Sequence, residues 1–299
     1  MRTAIALSVA VLLTVTAVIA QRGGGAPPTA AQAPTCPASG YAVRGNYGMF
    51  AQNDDGFTAY EIASPCIGKD VREVAEAIGM GRGKVMGVEN VIGVQFKADG
   101  TMADGTGMAK LSNAEFHIAY YLPAMRMFLE GTRADGKPLK EIRVFEDIYA
   151  WNETEEGRGA TPAMSALNDR APLVKLTPFG ALWSVIEAEG HTKVTTVNGR
   201  TVLTGTSPFD GIEVSTTLDN AHRPIEVTAK ANGHTYGATF ADYRDTWESK
   251  YLVIFPSQIK WTLDGKPLAD LKVTAFKSNP YVVFPVPDVV RQNQPGARP

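Results

Sequence analysis

The 299-residue chain reads as a mainly β protein of the α+β kind, an antiparallel meander with few helices. Three observations predict this. Eight Asp-Gly or Asn-Gly pairs punctuate it, at 55, 99, 104, 135, 198, 210, 232 and 264, and such pairs favour the positive φ angles of tight hairpins. Short runs rich in Val, Ile, Thr, Tyr and Phe lie between several of them. Only two segments carry both helix start and stop signals.

Taken in chain order, Met1–Ala20 has one Arg followed by an apolar run from Thr3 to Ala20. Val18 and Ala20 suit a signal-peptidase site, so a signal peptide over 1–20 is expected, with an uncleaved anchor as the alternative. In Gln21–Thr35, 10 of 15 residues are Gly, Ala or Pro. This composition cannot offset ordering entropy and predicts a flexible linker over 21–35. One β-rich domain is expected over 36–288, and a disordered tail over 289–299. Export makes a Cys36–Cys66 disulfide the default, with two free thiols as the alternative. Closing a loop of that size stabilises by about 3 kcal/mol in the chain-entropy picture.

Asp70–Ile78 has an Asp cap, Glu73 completing a capping box, an apolar stripe of Val71, Val74, Ala75 and Ile78, and Gly79 as its stop. Strands are expected at Val91–Ala98, Met125–Gly131, Glu141–Trp151, Gly211–Leu218 and Tyr251–Phe255, while Leu111–Leu122 suits either helix or strand. Glu153–Arg170 has no period and reads as a long loop. Pro178–Glu189 is a helix capped by Thr177, with Pro178 at its first position and Gly190 after it.

Pairing arithmetic fixes registers. A two-residue turn at Asn232-Gly233 sets Val227 opposite Ala238 and Ala229 opposite Tyr236, giving one apolar and one polar face. Asn198-Gly199 sets Val194 opposite Leu203. At Asp264-Gly265 a two-residue turn would oppose Ile259 to Asp270. A three-residue loop opposes Ile259 to Leu271, so a bulged hairpin is expected there.

A formal charge of −2 offers no electrostatic reason for a nucleic-acid partner. No G-x-S-x-G is present. Ser257-Gln-Ile-Lys260 matches S-x-x-K, but on a strand the two side chains point apart. His117, His191, His222 and His234 have no metal-ligand spacing, and no metal or cofactor is expected. Gly79–Lys84 resembles a phosphate loop but follows a helix and lacks the Ser or Thr. Asn152-Glu153-Thr154 is a glycosylation sequon.

Aromatic residues remain. Phe145, Tyr149 and Trp151 share one face of the expected Glu141–Trp151 strand. Trp183 lies on the second helix, Phe240 on the apolar face of the 232–233 hairpin, and Trp261 beside Ile259 and Leu263. They form either ordinary core or the lining of an apolar cavity between a curved sheet and its helices, able to hold an acyl chain.

Two stretches carry a family resemblance. Val74–Gly93 (VAEAIGMGRGKVMGVENVIG) resembles the opening of exported bacterial proteins in which a short helix ends in a glycine cluster before the first strand. Asp242-Tyr243-Arg244-Asp245, Phe255-Pro256-Ser257, Asp264–Leu268 and Leu271–Thr274 follow in the order of the C-terminal strands of periplasmic half-barrel proteins similar to the outer-membrane lipoprotein carriers. Related regions also precede metallo-β-lactamase-like domains, and no such domain is expected here. The resemblance implies a strongly curved antiparallel half-barrel over a few helices, with an apolar concave side, and members that handle lipids or lipid-modified proteins. No functional residue of the carriers has a counterpart that can be matched here.

The expectation is a non-enzymatic periplasmic or secreted module binding a lipid, acyl chain or other apolar ligand. Its partner would be a lipid or lipidated protein, with no membrane span after signal cleavage. The alternatives are an envelope interaction or assembly protein with a filled core, or an enzyme with an unrecognised site.

Overall fold

The computed structural model describes residues 91–120, 122–187, 192–207, 210–221, 223–245, 247 and 253–293. The signal peptide, the linker, Cys36 and Cys66, the Asp70–Ile78 helix, the Gly79–Lys84 loop, His191 and His222 lie outside the described residues.

Thirteen strands form one antiparallel sheet, curved and open. They are β1 (Gly93–Ala103), β2 (Met108–Ala119), β3 (Ala124–Thr132), β4 (Pro138–Glu146), β5 (Tyr149–Glu153), β6 (Thr161–Pro162), β7 (Lys193–Val197), β8 (Arg200–Thr206), β9 (Glu213–Leu218), β10 (Pro224–Ala231), β11 (His234–Arg244), β12 (Phe255–Leu263) and β13 (Lys266–Ser278). The spatial order β6-β5-β4-β3-β2-β1-β13-β12-β11-β10-β9-β8-β7 is two meanders joined where β13 pairs with β1. Helices α1 (Leu167–Lys175) and α2 (Pro178–Glu187) lie on one face, here called inner. A third, α3 (Asp288–Arg291), packs on the outer face.

The sheet follows its turn chemistry. Asn198, Asn232 and Asp264 sit at φ of 52°, 54° and 50°, each followed by a glycine at positive φ. Val227 pairs with Ala238, Ala229 with Tyr236, and Val194 with Leu203. The Asp264-Gly265 hairpin is bulged and opposes Ile259 to Leu271, but its loop has two residues. Leu263 pairs with Lys266 and Thr262 with Pro267, and the register then slips so that Trp261 meets Ala269. Leu268 is the extra residue. Leu111–Leu122 resolves as strand, most of it within β2.

Several elements differ from the sequence expectation. The expected strand Tyr251–Phe255 coincides with β12 only at Phe255, and Val253 and Ile254 lie outside the sheet. Asp99-Gly100 is no turn: it lies inside β1, where a bulge brings Gly100 against the Asp270 carbonyl and leaves no room for a Cβ. Glu141–Trp151 is not one strand. Asp147, at φ 51°, turns the chain in a two-residue loop, so Glu146 pairs with Tyr149 and Phe145 with Ala150. The Glu153–Arg170 stretch is not all loop: it holds β6, a 3-10 turn (Met164–Ala166) and the start of α1.

α1 contains Pro172, which removes the donor that would bond Asn168 in a regular helix. The freed Asn168 carbonyl accepts instead from Asn232 Nδ2 at 3.3 Å and Tyr236 Oη at 3.4 Å, docking α1 on the β10–β11 hairpin. α2 starts as expected, with Thr177 Oγ1 accepting from the Gly180 amide at 3.1 Å. A Cβ at Gly180 would collide with the Val174 carbonyl, so glycine permits the tight α1–α2 turn.

After β13 the chain crosses the outer face. Asn279 Oδ1 accepts from the Ile92 amide at 2.9 Å, and Phe284, Val286 and Val290 pack on Ala124, Val144 and Trp151. The expected tail from 289 therefore begins instead with helix α3 and a fully buried Val290. No helix among the described residues is long and apolar enough to cross a membrane.

Candidate functional site

The six aromatic candidates divide between the two faces. Phe145, Trp183, Phe240 and Trp261 belong to the inner core, whereas Tyr149 and Trp151 belong to the outer cluster. Phe145 and Trp151 were expected to share a face. The turn at Asp147 separates them, because it starts a new strand whose alternation is set by the pairing of Phe145 with Ala150.

The inner face has two differently built halves. Around β1, β2, β12 and β13 it is aromatic and packed upon itself. Phe96 stacks on Phe116 at 4.5 Å and Phe255 on Phe276 at 4.3 Å, while Trp261 meets Phe116 edge-on at 5.8 Å. Phe179 of α2 lies parallel to Phe255 at 6.4 Å. The polar atoms of this half pin the helices to the sheet. Trp261 Nε1 donates to the Leu176 carbonyl at 2.8 Å, and Trp183 Nε1 to that of Val91 at 2.9 Å. Thr177 Oγ1 donates to the Val174 carbonyl at 3.0 Å, so Tyr120 Oη donates to it, at 2.9 Å. Burial pushes the Tyr120 phenol far above its usual range, keeping it a donor.

The other half, on β8, β9 and β10 beneath α2, is aliphatic. Leu203, Val214, Leu218, Val227 and Ala229 are buried there. Thr216 lies in their midst, fully buried, and its Oγ1 has no hydrogen-bond partner.

The outer face holds a charged cluster that the sequence did not single out. Arg126 (β3) and Glu153 (β5) have side chains only 2% and 1% exposed and pair through two bonds, Nε to Oε2 at 3.0 Å and Nη2 to Oε1 at 3.1 Å. Trp151 Nε1 and the Gly157 amide also donate to Glu153, each at 2.9 Å. Arg126 further donates to the Val283 carbonyl at 3.1 Å and sits 5.3 Å from the centre of the Phe284 ring, holding the C-terminal segment. Beside it, His117 Nε2 donates to Glu115 at 2.7 Å, while the buried Nδ1 has no hydrogen-bond partner and lies 3.9 Å from the Glu156 carboxylate. Burial pushes the Glu115 carboxyl up, but hydrogen bonds from His117, Gln95 and Lys97 outweigh it and hold the group below the ordinary carboxylate range. The one sequence signal for this cluster is Arg126 itself, a charge inside the apolar run Met125–Leu129.

The remaining sequence candidates are apart. Ser257 is buried on the inner face, whereas Lys260 projects outward to Asp270 at 3.2 Å. His234 caps a hairpin corner with Asp264 at 2.8 Å. The sequon residue Asn152 accepts from Arg170 at 2.6 Å. Burial, aided by the Arg143 charge, lowers the Arg170 guanidinium to about 10. Among the described residues no group of three or more His, Cys, Asp and Glu is placed to hold a metal ion.

No family model matches the chain, and no curated protein matches it in sequence. Among solved structures, the lipoprotein LppX of Mycobacterium tuberculosis aligns over 55% of this chain and 87% of its own, at 11% identity and a TM-score of 0.22. A superposition that loose leaves the architecture to rest on the strand order and registers given above.

Proposed function

We propose that this is an exported, non-enzymatic module that binds a lipid, acyl chain or other apolar ligand on the inner face of its sheet, in the periplasm or outside the cell. One observation carries the reading: twelve of the thirteen strands supply residues to the apolar inner face, yet the helices on it are only 9 and 10 residues long. α1 is anchored by Arg170, which donates to the Val144 and Trp151 carbonyls and to Asn152, whereas α2 has single hydrogen bonds, from Trp183 and, at its Thr177 cap, from Tyr120. A short helix tethered at a few points over aliphatic side chains can yield to an acyl chain, because apolar contacts have no directional requirement. The resemblance of Val74–Gly93 and the C-terminal strands to the lipoprotein carriers points the same way.

The second reading, an envelope interaction or assembly protein with a filled core, is favoured by the self-packed aromatic half around Phe96, Phe255 and Phe276. Titration with 1,6-diphenylhexatriene, which fluoresces in apolar surroundings, separates the two. The binding reading expects saturable enhancement displaced by acyl esters, with native mass spectrometry giving one adduct per chain. No uptake by either method overturns it in favour of the filled core.

A further inference from the structure

We infer that the aliphatic half of the inner face, beneath α2, is the subsite for the polar end of an acyl ligand, and that Thr216 Oγ1 donates a hydrogen bond to its carbonyl oxygen. The inference rests on the binding reading above and names the chemical class it takes, a neutral ester- or amide-linked acyl chain.

Thr216 is 0% exposed and its hydroxyl is unpaired. Leaving a buried hydroxyl without a partner is destabilising, because it loses its bonds to water and gains none. Valine has nearly the same shape and would carry no such penalty on this apolar stripe. Two hydroxyls of the inner helices are paired: Thr177 bonds the Val174 carbonyl at 3.0 Å, and Ser184 that of Gly180 at 2.9 Å. The sheet around Thr216 offers no polar side chain to hold a trapped water. Such a water needs 2–4 polar partners. The cross-strand neighbours are Leu203 and Val227, and the residues above and below on the same face are Val214 and Leu218. None has a polar side-chain atom, and the strand backbone is engaged in its ladders.

α2 packs over β8, β9 and β10, so whatever meets the hydroxyl enters between that helix and the sheet. The same surroundings select the ligand. A carboxylate buried among four aliphatic side chains would be poorly solvated. The buried ammonium of α1, Lys175, faces Asp210 at 3.6 Å. A carbonyl that only accepts, attached to a chain that fills apolar space, suits one donor in an aliphatic setting.

Two fluorescent probes and two variants test this. Methyl cis-parinarate carries an ester on an apolar chain, and 1,6-diphenylhexatriene has no polar atom. Thr216→Val is expected to weaken methyl cis-parinarate binding about 3- to 10-fold, the worth of one hydrogen bond, and to leave diphenylhexatriene binding unchanged. Thr216→Ser keeps the donor and is expected to keep the ester affinity. The thermal midpoint of Thr216→Val is expected to hold or rise, which separates lost binding from lost folding. Unchanged ester affinity in Thr216→Val, or an equal fall for both probes, overturns the role of the hydroxyl while the binding reading stands. Failure of the unsubstituted protein to take up either probe overturns the binding reading and this inference with it.

Discussion

Trp261 and Trp151 are both fully buried in the same sheet, yet they are held by different physics. Trp261 lies among Phe116 and other apolar neighbours, and its one polar atom finds a helix carbonyl at 2.8 Å. Trp151 lies on the opposite face and donates to Glu153, a carboxylate that also accepts from Arg126 and Gly157. The inner face coheres by apolar area and shape, which tolerate exchange of one apolar occupant for another. The outer cluster coheres by a satisfied buried ion pair, in which losing one member strands a charge away from water. The sheet thus has one face held by apolar packing and one whose ion pair keeps β3, β5 and the C-terminal segment in register.

The contrast is broken or sharpened by four measurements. The largest effect is expected from Glu153→Ala, which removes the two-bond partner of the buried Arg126, leaves it only the half-exposed Glu156 carboxylate at 3.4 Å and the Val283 carbonyl, and should cost about 3–5 kcal/mol in urea unfolding. Diphenylhexatriene binding under native conditions should be unchanged, and a loss below 1 kcal/mol would show that the outer cluster is not held by charge. Trp261→Phe keeps most of the packing but strips the Leu176 carbonyl of its donor, for an expected loss of about 1–3 kcal/mol. Here the apolar probe should bind differently, because Leu176 joins α1 to α2.

Asn279→Ala removes the acceptor for the Ile92 amide, where the C-terminal segment leaves the sheet. About 1 kcal/mol is expected. Hydrogen exchange should quicken at Ile92 and across 282–290, and unchanged protection there would detach the segment from that anchor. The smallest effect concerns pH. Glu115 is held below its ordinary value, so its contribution is present above the unfolded value of about 4.3 and is lost as pH falls through the lower folded value. With its side chain 19% exposed, the contribution should stay under about 1 kcal/mol. Glu115→Gln should flatten the acid limb of the stability curve, and an unaltered limb would remove Glu115 from the cluster's energetics.

Legibility in the sequence tracked the range of the interaction. The Asn232-Gly233 hairpin and the α2 cap were readable because each is decided within a few residues, by left-handed backbone and by a hydroxyl beside free amides. The bulge near Leu268 was readable from the mismatch between Ile259 and Asp270, although the loop length was not. α1 escaped because Pro172 argues against a helix, and what compensates it is a tyrosine 68 residues away in the chain. The Phe145–Trp151 grouping failed because Asp147 turns without a glycine. His117 and Thr216 bear orphaned atoms only because of what does not pack on them, and no local pattern encodes an absence.

The chain by itself therefore determined that the protein is an antiparallel meander, that it turns at Asn198-Gly199, Asn232-Gly233 and Asp264-Gly265, and which residues lie opposite one another in those hairpins. Positive φ and two-residue alternation are properties of neighbours in sequence. The tertiary structure alone decided that Trp151 and Trp261 face opposite ways, that the Val283 carbonyl meets an arginine 157 residues earlier, and that Thr216 is enclosed by aliphatic strands. Those outcomes depend on desolvation, and desolvation is set by whatever distant segment happens to cover a side chain.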